Sequence, residues 1–157
     1  MRATLKTMRP WLAAVLMVPP LATLADEHGA RITAPPAYVQ ECGACHVPFP
    51  SRTLPPASWQ RLMANLPRHF GTDASVDAAT QKALNVWLTA YAGSGKRART
   101  APPEDRITRG DWFLREHREL PAAAWKRASI KSAANCSACH EGAAQGLYDE
   151  HSVRIPR

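Results

Sequence analysis

Cys42-Gly43-Ala44-Cys45-His46 and Cys136-Ser137-Ala138-Cys139-His140 share one pattern: two cysteines separated by two small residues, with a histidine directly after the second cysteine. The two copies contain all four cysteines of the 157-residue chain. In each copy, one turn of helix would bring both thiols to the same side, next to the histidine. The chain therefore carries two sites of the same chemistry.

Each copy matches the signature for covalent attachment of haem. The two thiols can form thioethers with the two vinyl groups of one haem, and the histidine can then reach the iron as its first axial ligand. The sequence thus predicts two haem c groups. The predicted attachment residues are Cys42, Cys45, Cys136 and Cys139, and the predicted first axial ligands are His46 and His140.

Two other interpretations of the paired cysteines stay open at this point. A disulfide within each pair would suit a thioredoxin-like motif, but that motif begins a helix in a βαβ unit, and the sequence shows no such pattern. A zinc site can also use cysteine pairs, but it does not require an adjacent histidine in both copies.

The N-terminal residues have the pattern of an export signal. Three basic residues precede a short apolar run over 11–18, which falls below the roughly 20 residues that a membrane-spanning helix needs. Thr23-Leu24-Ala25 then offers a cleavage site. We predict a signal peptide over 1–25, a periplasmic mature protein and no stable membrane insertion.

The charge of the chain does not point to nucleic acid. The whole sequence has 20 Lys and Arg against 13 Asp and Glu, a net charge of +7. Removal of 1–25 takes away three basic residues and no acidic one, and the propionates of two haems would cancel much of the remaining excess. We therefore predict no nucleic-acid binding. The two predicted haem groups instead predict redox proteins as partners.

Proline positions and apolar periodicity predict an all-α fold. No run alternates at period two for long enough to predict a strand. Four prolines exclude regular structure from 47–56. The predicted helices are one that starts with Ser58 as N-cap and is interrupted at Pro67, one over 75–92 that ends at Gly93, one with Thr108 as N-cap that carries Trp112, Phe113 and His117, and an alanine-rich one over 122–130.

Composition also divides the chain. The stretch over 93–106 is rich in Gly, Ser, Pro and charge, which is typical of a linker. We predict a small two-lobed protein with one haem per lobe and extended proline-rich loops. The first haem lobe would cover 26–92 and the second 107–157.

Histidines can supply the second axial ligand of each iron. Met63, which is the one methionine left after removal of 1–25, lies on the apolar stripe of a predicted helix, which favours core packing. His69 follows a hydrophobic helix end, and His117 lies four residues after Phe113 on an amphipathic helix. We predict His69 and His117 as ligands of two bis-histidine haems of low potential.

Proximity in the sequence pairs His69 with His46 and His117 with His140. In the first half the attachment motif then precedes the second ligand, His69. In the second half the second ligand, His117, precedes the attachment motif. A crossed pairing stays open.

The two motifs and several segments between and after them resemble the bacterial periplasmic dihaem cytochrome c family. The matching segments are Glu41-Cys42 to His46, Leu54-Pro55 with Ser58-Trp59, Leu66 with His69-Phe70-Gly71, Ile107-Thr108-Arg109 with Trp112-Phe113, Glu116-His117-Arg118, Cys136 to His140, and Gly146-Leu147-Tyr148 to Ile155-Pro156. The resemblance covers essentially the whole mature chain. It implies a two-lobed, mainly helical fold with bis-histidine haems and carries His69 and His117 over as distal ligands.

The same resemblance implies an electron shuttle between a membrane b-type cytochrome and a small oxygen-binding monohaem cytochrome c. No acid–base or nucleophile cluster stands beside the motifs, so we predict an electron carrier without catalytic residues. The alternative is a haem enzyme, peroxidase-like or reductase-like, with one open iron site.

Overall fold

Prolines start the first two helices of the computed structural model, which describes residues 32–157. Helices α1 (Pro36–Cys42) and α2 (Pro56–Ala64) each have a proline in the first turn, where its missing N–H removes no helical hydrogen bond. Helix α1 ends on the first cysteine of the first motif, so the motif lies at its C-terminal end. The predicted signal peptide over 1–25 lies outside the described residues.

The prediction that Ser58 caps a helix is wrong. Helix α2 begins two residues earlier, and Ser58 is fully buried within its first turn. There the hydroxyl of Ser58 accepts a hydrogen bond from Arg61 at 3.2 Å. The extended backbone of Pro55 starts the helix without a side-chain cap.

The chain turns sharply between α2 and the third helix. Leu66–Arg68 forms a short 3-10 turn that contains Pro67, so the predicted interruption at this proline is confirmed. Phe70 and Gly71 then adopt left-handed conformations with φ of 53° and 96°. His69 therefore lies on a turn and not on a helix.

Helix α3 (Ala78–Ala90) is shorter than the predicted 75–92, because Asp77 caps it. The carboxylate of Asp77 accepts hydrogen bonds from the N–H groups of Ala79 and Thr80, both at 3.0 Å. Leu84 and Leu88 are buried one turn apart on α3, which packs closely against α2.

The main core lies between α1, α2 and α3. Its buried members are Tyr38, Leu54, Trp59, Met63, Leu66, Leu84 and Leu88. Two aromatic side chains also bond to the proline-rich loop, since Tyr38 donates to the carbonyl of Phe49 and Trp59 donates to the carbonyl of Ser51, each at 2.7 Å. These bonds satisfy loop carbonyls that burial would otherwise leave without a partner.

Residues 93–106 also pack against the first half of the chain. The N–H of Gly93 donates to the carbonyl of Leu54 at 2.9 Å, and Ala98 is buried. This stretch contains 3-10 turns at Lys96–Ala98 and Pro103–Asp105.

Short turns dominate the C-terminal half. The prediction of Thr108 as an N-cap is wrong, because Thr108 lies in the 3-10 turn Ile107–Arg109 and α4 (Asp111–Glu116) begins after Gly110. Further 3-10 turns are Ala124–Lys126, Cys136–Ala138, Ala143–Gln145 and Glu150–Ser152.

The predicted alanine-rich helix over 122–130 is also wrong. Only Ala124–Lys126 is helical there, and Arg127 has extended backbone. The guanidinium of Arg127 donates to the carbonyl of Pro156 at 2.7 Å, which connects this segment to the irregular C-terminal segment. A helix this short depends on tertiary packing and not on alanine propensity.

The described residues contain no β-strand, and His69 and Thr72 form an isolated bridge. The all-α fold class is therefore confirmed. None of the helices within 32–157 combines the length and the apolar character needed to cross a bilayer.

Candidate functional site

None of the four cysteines, all of which lie within the described residues, forms a disulfide. Burial raises the pKa of Cys42 to about 11, with a further contribution from the charge of Glu41. Burial is also the main cause that raises the pKa values of Cys136 and Cys139. The described residues contain no β-strand, so they lack the βαβ unit in which a thioredoxin-like motif occurs.

The cysteine pairs do not converge on a shared metal site. Within 32–157, no three His, Cys, Asp or Glu side chains lie together where they could hold a metal ion. Each pair instead has its own neighbouring histidines, and all four of these histidines are half-buried.

The first site brings His46 and His69 together. The centres of the two imidazole rings are 6.3 Å apart, and the ring planes differ by 25°. His46 directly follows the first cysteine motif, and its Nδ1–H donates to the carbonyl of Val47 at 2.7 Å. This bond leaves Nε2 as the nitrogen available to a metal.

The surroundings of His69 favour its neutral form. Burial is the largest cause that lowers its pKa, followed by the charges of His46 and Arg106. The Nδ1 atom of His69 is buried and has no hydrogen-bond partner. A neutral imidazole is the form that binds iron.

The second site brings His117 and His140 together, again with ring centres 6.3 Å apart but with ring planes at 80°. His117 follows α4 directly, and its Nδ1–H donates to the carbonyl of Phe113 at 2.9 Å. The ring of Phe113 stacks on His117 with a centre separation of 4.0 Å. Hydrogen bond and stacking together determine the orientation of the His117 ring.

His140 has the less anchored ring of the second pair. Its Nδ1 atom is buried without a partner. Burial, and then the charge of His117, lower its pKa. The ring of Tyr148 meets His140 edge-on with centres 5.4 Å apart, and burial raises the pKa of Tyr148 well above its ordinary value.

Both ring separations fit one iron between two imidazoles. With metal–nitrogen bonds of about 2 Å and ring centres about 1 Å behind each nitrogen, two axial imidazoles have centres about 6 Å apart. The observed 6.3 Å is too long for direct ring stacking and leaves room for one metal ion between the rings. The residues present therefore fit a haem beside each cysteine pair.

Three residues near the sites, Phe113, Tyr148 and Arg106, make contacts that the sequence prediction does not include. Phe113 lies four residues before His117, and this spacing allows the histidine to bond to a backbone carbonyl one turn before it. Tyr148 and Arg106 come close to His140 and Phe70 only through the folding of distant segments. No local pattern marks these two.

Comparisons with known proteins show what this chain is similar to. A family model described as dihaem cytochrome c matches residues 38–148, which include both cysteine motifs. No match was found among curated proteins.

Solved structures with similar folds are also found. A diheme cytochrome type c from Shewanella baltica OS155 is 32% identical, with a TM-score of 0.69, over 80% of this chain and 95% of that chain. A structure of DHC purified from Rhodobacter sphaeroides is 39% identical, with a TM-score of 0.64, over 74% of this chain and 99% of that chain. The similarity thus spans almost the whole length of both relatives.

Proposed function

This chain belongs to the dihaem cytochrome c family, and from that membership we propose that it is an electron carrier whose two irons are each closed by two histidines. One observation carries the proposal. At both sites a histidine tethered to a cysteine motif faces a second half-buried imidazole at 6.3 Å. A closed iron suits electron transfer, whereas an open iron would suit ligand binding or catalysis.

The proposed ligand sets follow the spatial pairs. Cys42 and Cys45 would hold the first haem, with His46 and His69 as ligands of its iron. Cys136 and Cys139 would hold the second haem, with His140 and His117 as ligands of its iron. Each half of the chain then holds one haem, and the crossed pairing is not needed.

When bound, each haem supplies a one-electron couple at its iron. Burial lowers the pKa of His69 and of His140, which favours the neutral imidazole that binds a metal. The carbonyl oxygens of Val47 and Phe113 accept hydrogen bonds from His46 and His117. These bonds fix the orientation of the two rings and make them more basic ligands. Two imidazole ligands favour the oxidised iron more than a methionine does, and the proposed carrier therefore works at low potential.

The place of action and the partners belong to the same proposal. The N-terminal pattern of basic residues, apolar run and cleavage site supports export to the periplasm. The family resemblance supports a membrane b-type cytochrome as one partner and a small soluble haem protein, an oxygen-binding monohaem cytochrome c, as the other.

Absorption spectra with and without carbon monoxide test the proposed function. We expect both haems to be six-coordinate and low-spin in the oxidised and the reduced protein, with no spectral change on addition of carbon monoxide. A high-spin reduced haem that takes up carbon monoxide would contradict the proposal and favour a peroxidase-like or reductase-like enzyme. His69→Ala serves as the positive control, since it removes one proposed ligand and should open one iron.

A further inference from the structure

Two consecutive residues near the first site adopt an unfavourable backbone conformation. Glu104 (φ 58°, ψ 21°) and Asp105 (φ 56°) are both left-handed, although neither is a glycine. Side chains with a Cβ atom rarely adopt this conformation, and such strain persists only where surrounding contacts hold it.

An ion pair with α2 holds this turn. The guanidinium of Arg61 donates two hydrogen bonds to the carboxylate of Asp105, from Nε at 2.8 Å and from Nη2 at 2.6 Å. The side chain of Asp105 is only 12% exposed. A fork of this kind fixes orientation as well as distance, so Asp105 and the residue after it are tied to α2.

The turn places Arg106 beside the first site. The guanidinium carbon of Arg106 lies 4.2 Å from the centre of the Phe70 ring, and the Phe70 ring centre lies 4.7 Å from that of His69.

The charges around Arg106 do not cancel. Glu104 accepts hydrogen bonds from Arg106 at 3.1 Å and from Arg109 at 2.8 Å. Two cations thus share one anion, while Asp105 is neutralised by Arg61. The five side chains of these ion pairs together carry one excess positive charge, and Arg106 is the cation among them that contacts Phe70.

We propose that Arg106 raises the reduction potential of the haem between His46 and His69, and that the turn at Glu104 and Asp105 exists to place it there. The proposal rests on the ligand assignment proposed above. Reduction adds one electron to the site, and a nearby positive charge stabilises the reduced state by Coulomb attraction. Partial exposure of Arg106 weakens this attraction but does not remove it.

Redox titration of the holoprotein at low ionic strength tests the proposal. Arg106→Gln should shift the potential of the first haem to a more negative value and leave the second unchanged. Glu104→Gln removes the neutralising anion and should shift the first potential in the opposite direction. Lys82→Gln removes a charge from the exposed face of α3 and serves as the matched control. His69→Met identifies which of the two couples belongs to the first haem.

Each outcome separates the two proposals. If Arg106→Gln moves neither potential, or moves both equally, while both haems stay six-coordinate, the role of Arg106 is refuted and the ligand assignment stands. If both charge variants shift the first potential in the same direction, structural damage explains the shift and the proposal is again refuted. If His69→Met changes neither couple, the ligand assignment itself is wrong.

Discussion

At the scale of single residues, the four histidines of the two sites differ in the contacts of their Nδ1 atoms. His46 and His117 each donate to a backbone carbonyl, whereas the Nδ1 atoms of His69 and His140 are buried without a partner. At the first site the hydrogen-bonded ring is that of His46, which directly follows a motif cysteine. At the second site it is that of His117, which lies outside the cysteine motifs. Each proposed iron site therefore has one ring fixed by a hydrogen bond.

Asp105→Asn tests the ion pair with Arg61 at the same scale. The variant weakens a charge-assisted pair, and we expect the free energy of unfolding near pH 7 to fall by about 1 kcal/mol. The bond to Arg61 lowers the pKa of Asp105. A lowered folded-state pKa contributes stability that is present above the unfolded pKa of about 3.9 and is lost as the pH falls through the folded value.

Urea unfolding near pH 7 and at about pH 3 measures this difference. Wild type and Asp105→Asn should differ less at the lower pH, and the exposed Asp111→Asn is the control. A difference that is equal at both pH values would show that Asp105 acts through its shape and not through its charge.

At the scale of elements, Gly93 determines how α3 joins the following segment. A Cβ atom at Gly93 would collide with Ala98 and with the carbonyl oxygen of Arg52, while a Cβ atom at Gly95 would meet nothing within 4 Å. The close approach is needed because the N–H of Gly93 donates to the carbonyl of Leu54.

Gly93→Ala should therefore destabilise the protein by about 1–3 kcal/mol, which is typical of overpacking. Gly95→Ala is the matched control and should change stability little. Thermal unfolding of both variants measures the effect. Equal midpoints for the two variants would contradict the importance of this contact.

The helices that could be predicted from the sequence are those with a clear apolar stripe. The sequence predicts helices in the regions of α2 and α3. Their first residues differ from the prediction, because α2 begins after Pro55 and α3 begins after Asp77. The failure over 122–130 has a physical cause. The helix propensity of alanine says nothing about tertiary contacts. The hydrogen bond from Arg127 to Pro156 is such a contact, and it can be seen only in the folded chain.

At the scale of the whole molecule, the two halves differ in how they are held together. The buried cluster between α1, α2 and α3 belongs to the first half. The residues that are buried beyond 107 are few and mostly small, namely Phe113, Ala124, Ile130, Cys139 and Ala143, with Gly110 beside them. We therefore expect the second half to depend more strongly on its haem for stability.

Loss of the second haem should accordingly unfold the second half selectively. In the double variant Cys136→Ser and Cys139→Ser, we expect hydrogen exchange to lose protection beyond residue 107 while α2 and α3 stay protected. The double variant Cys42→Ser and Cys45→Ser is the matched comparison. Uniform loss of protection along the chain in both variants would contradict this difference between the halves.

Much of the candidate site could also be predicted from the sequence, because covalent attachment needs fixed spacing within each motif. The proposal of histidines as second ligands rests on the few methionines and histidines available. The contact of Arg106 with Phe70 could not be predicted, because it depends on two left-handed residues and on an ion pair that joins positions 44 residues apart.

The central claim is that each iron lies between two histidines, His46 with His69 and His140 with His117. Redox titration followed by electron paramagnetic resonance, on wild type, His69→Met and His117→Met, tests it most directly. We expect two low-spin signals in wild type, and we expect each variant to replace one signal and raise one potential while the other haem keeps its own. If neither substitution alters a haem signal, or if one substitution alters both, the assignment is wrong.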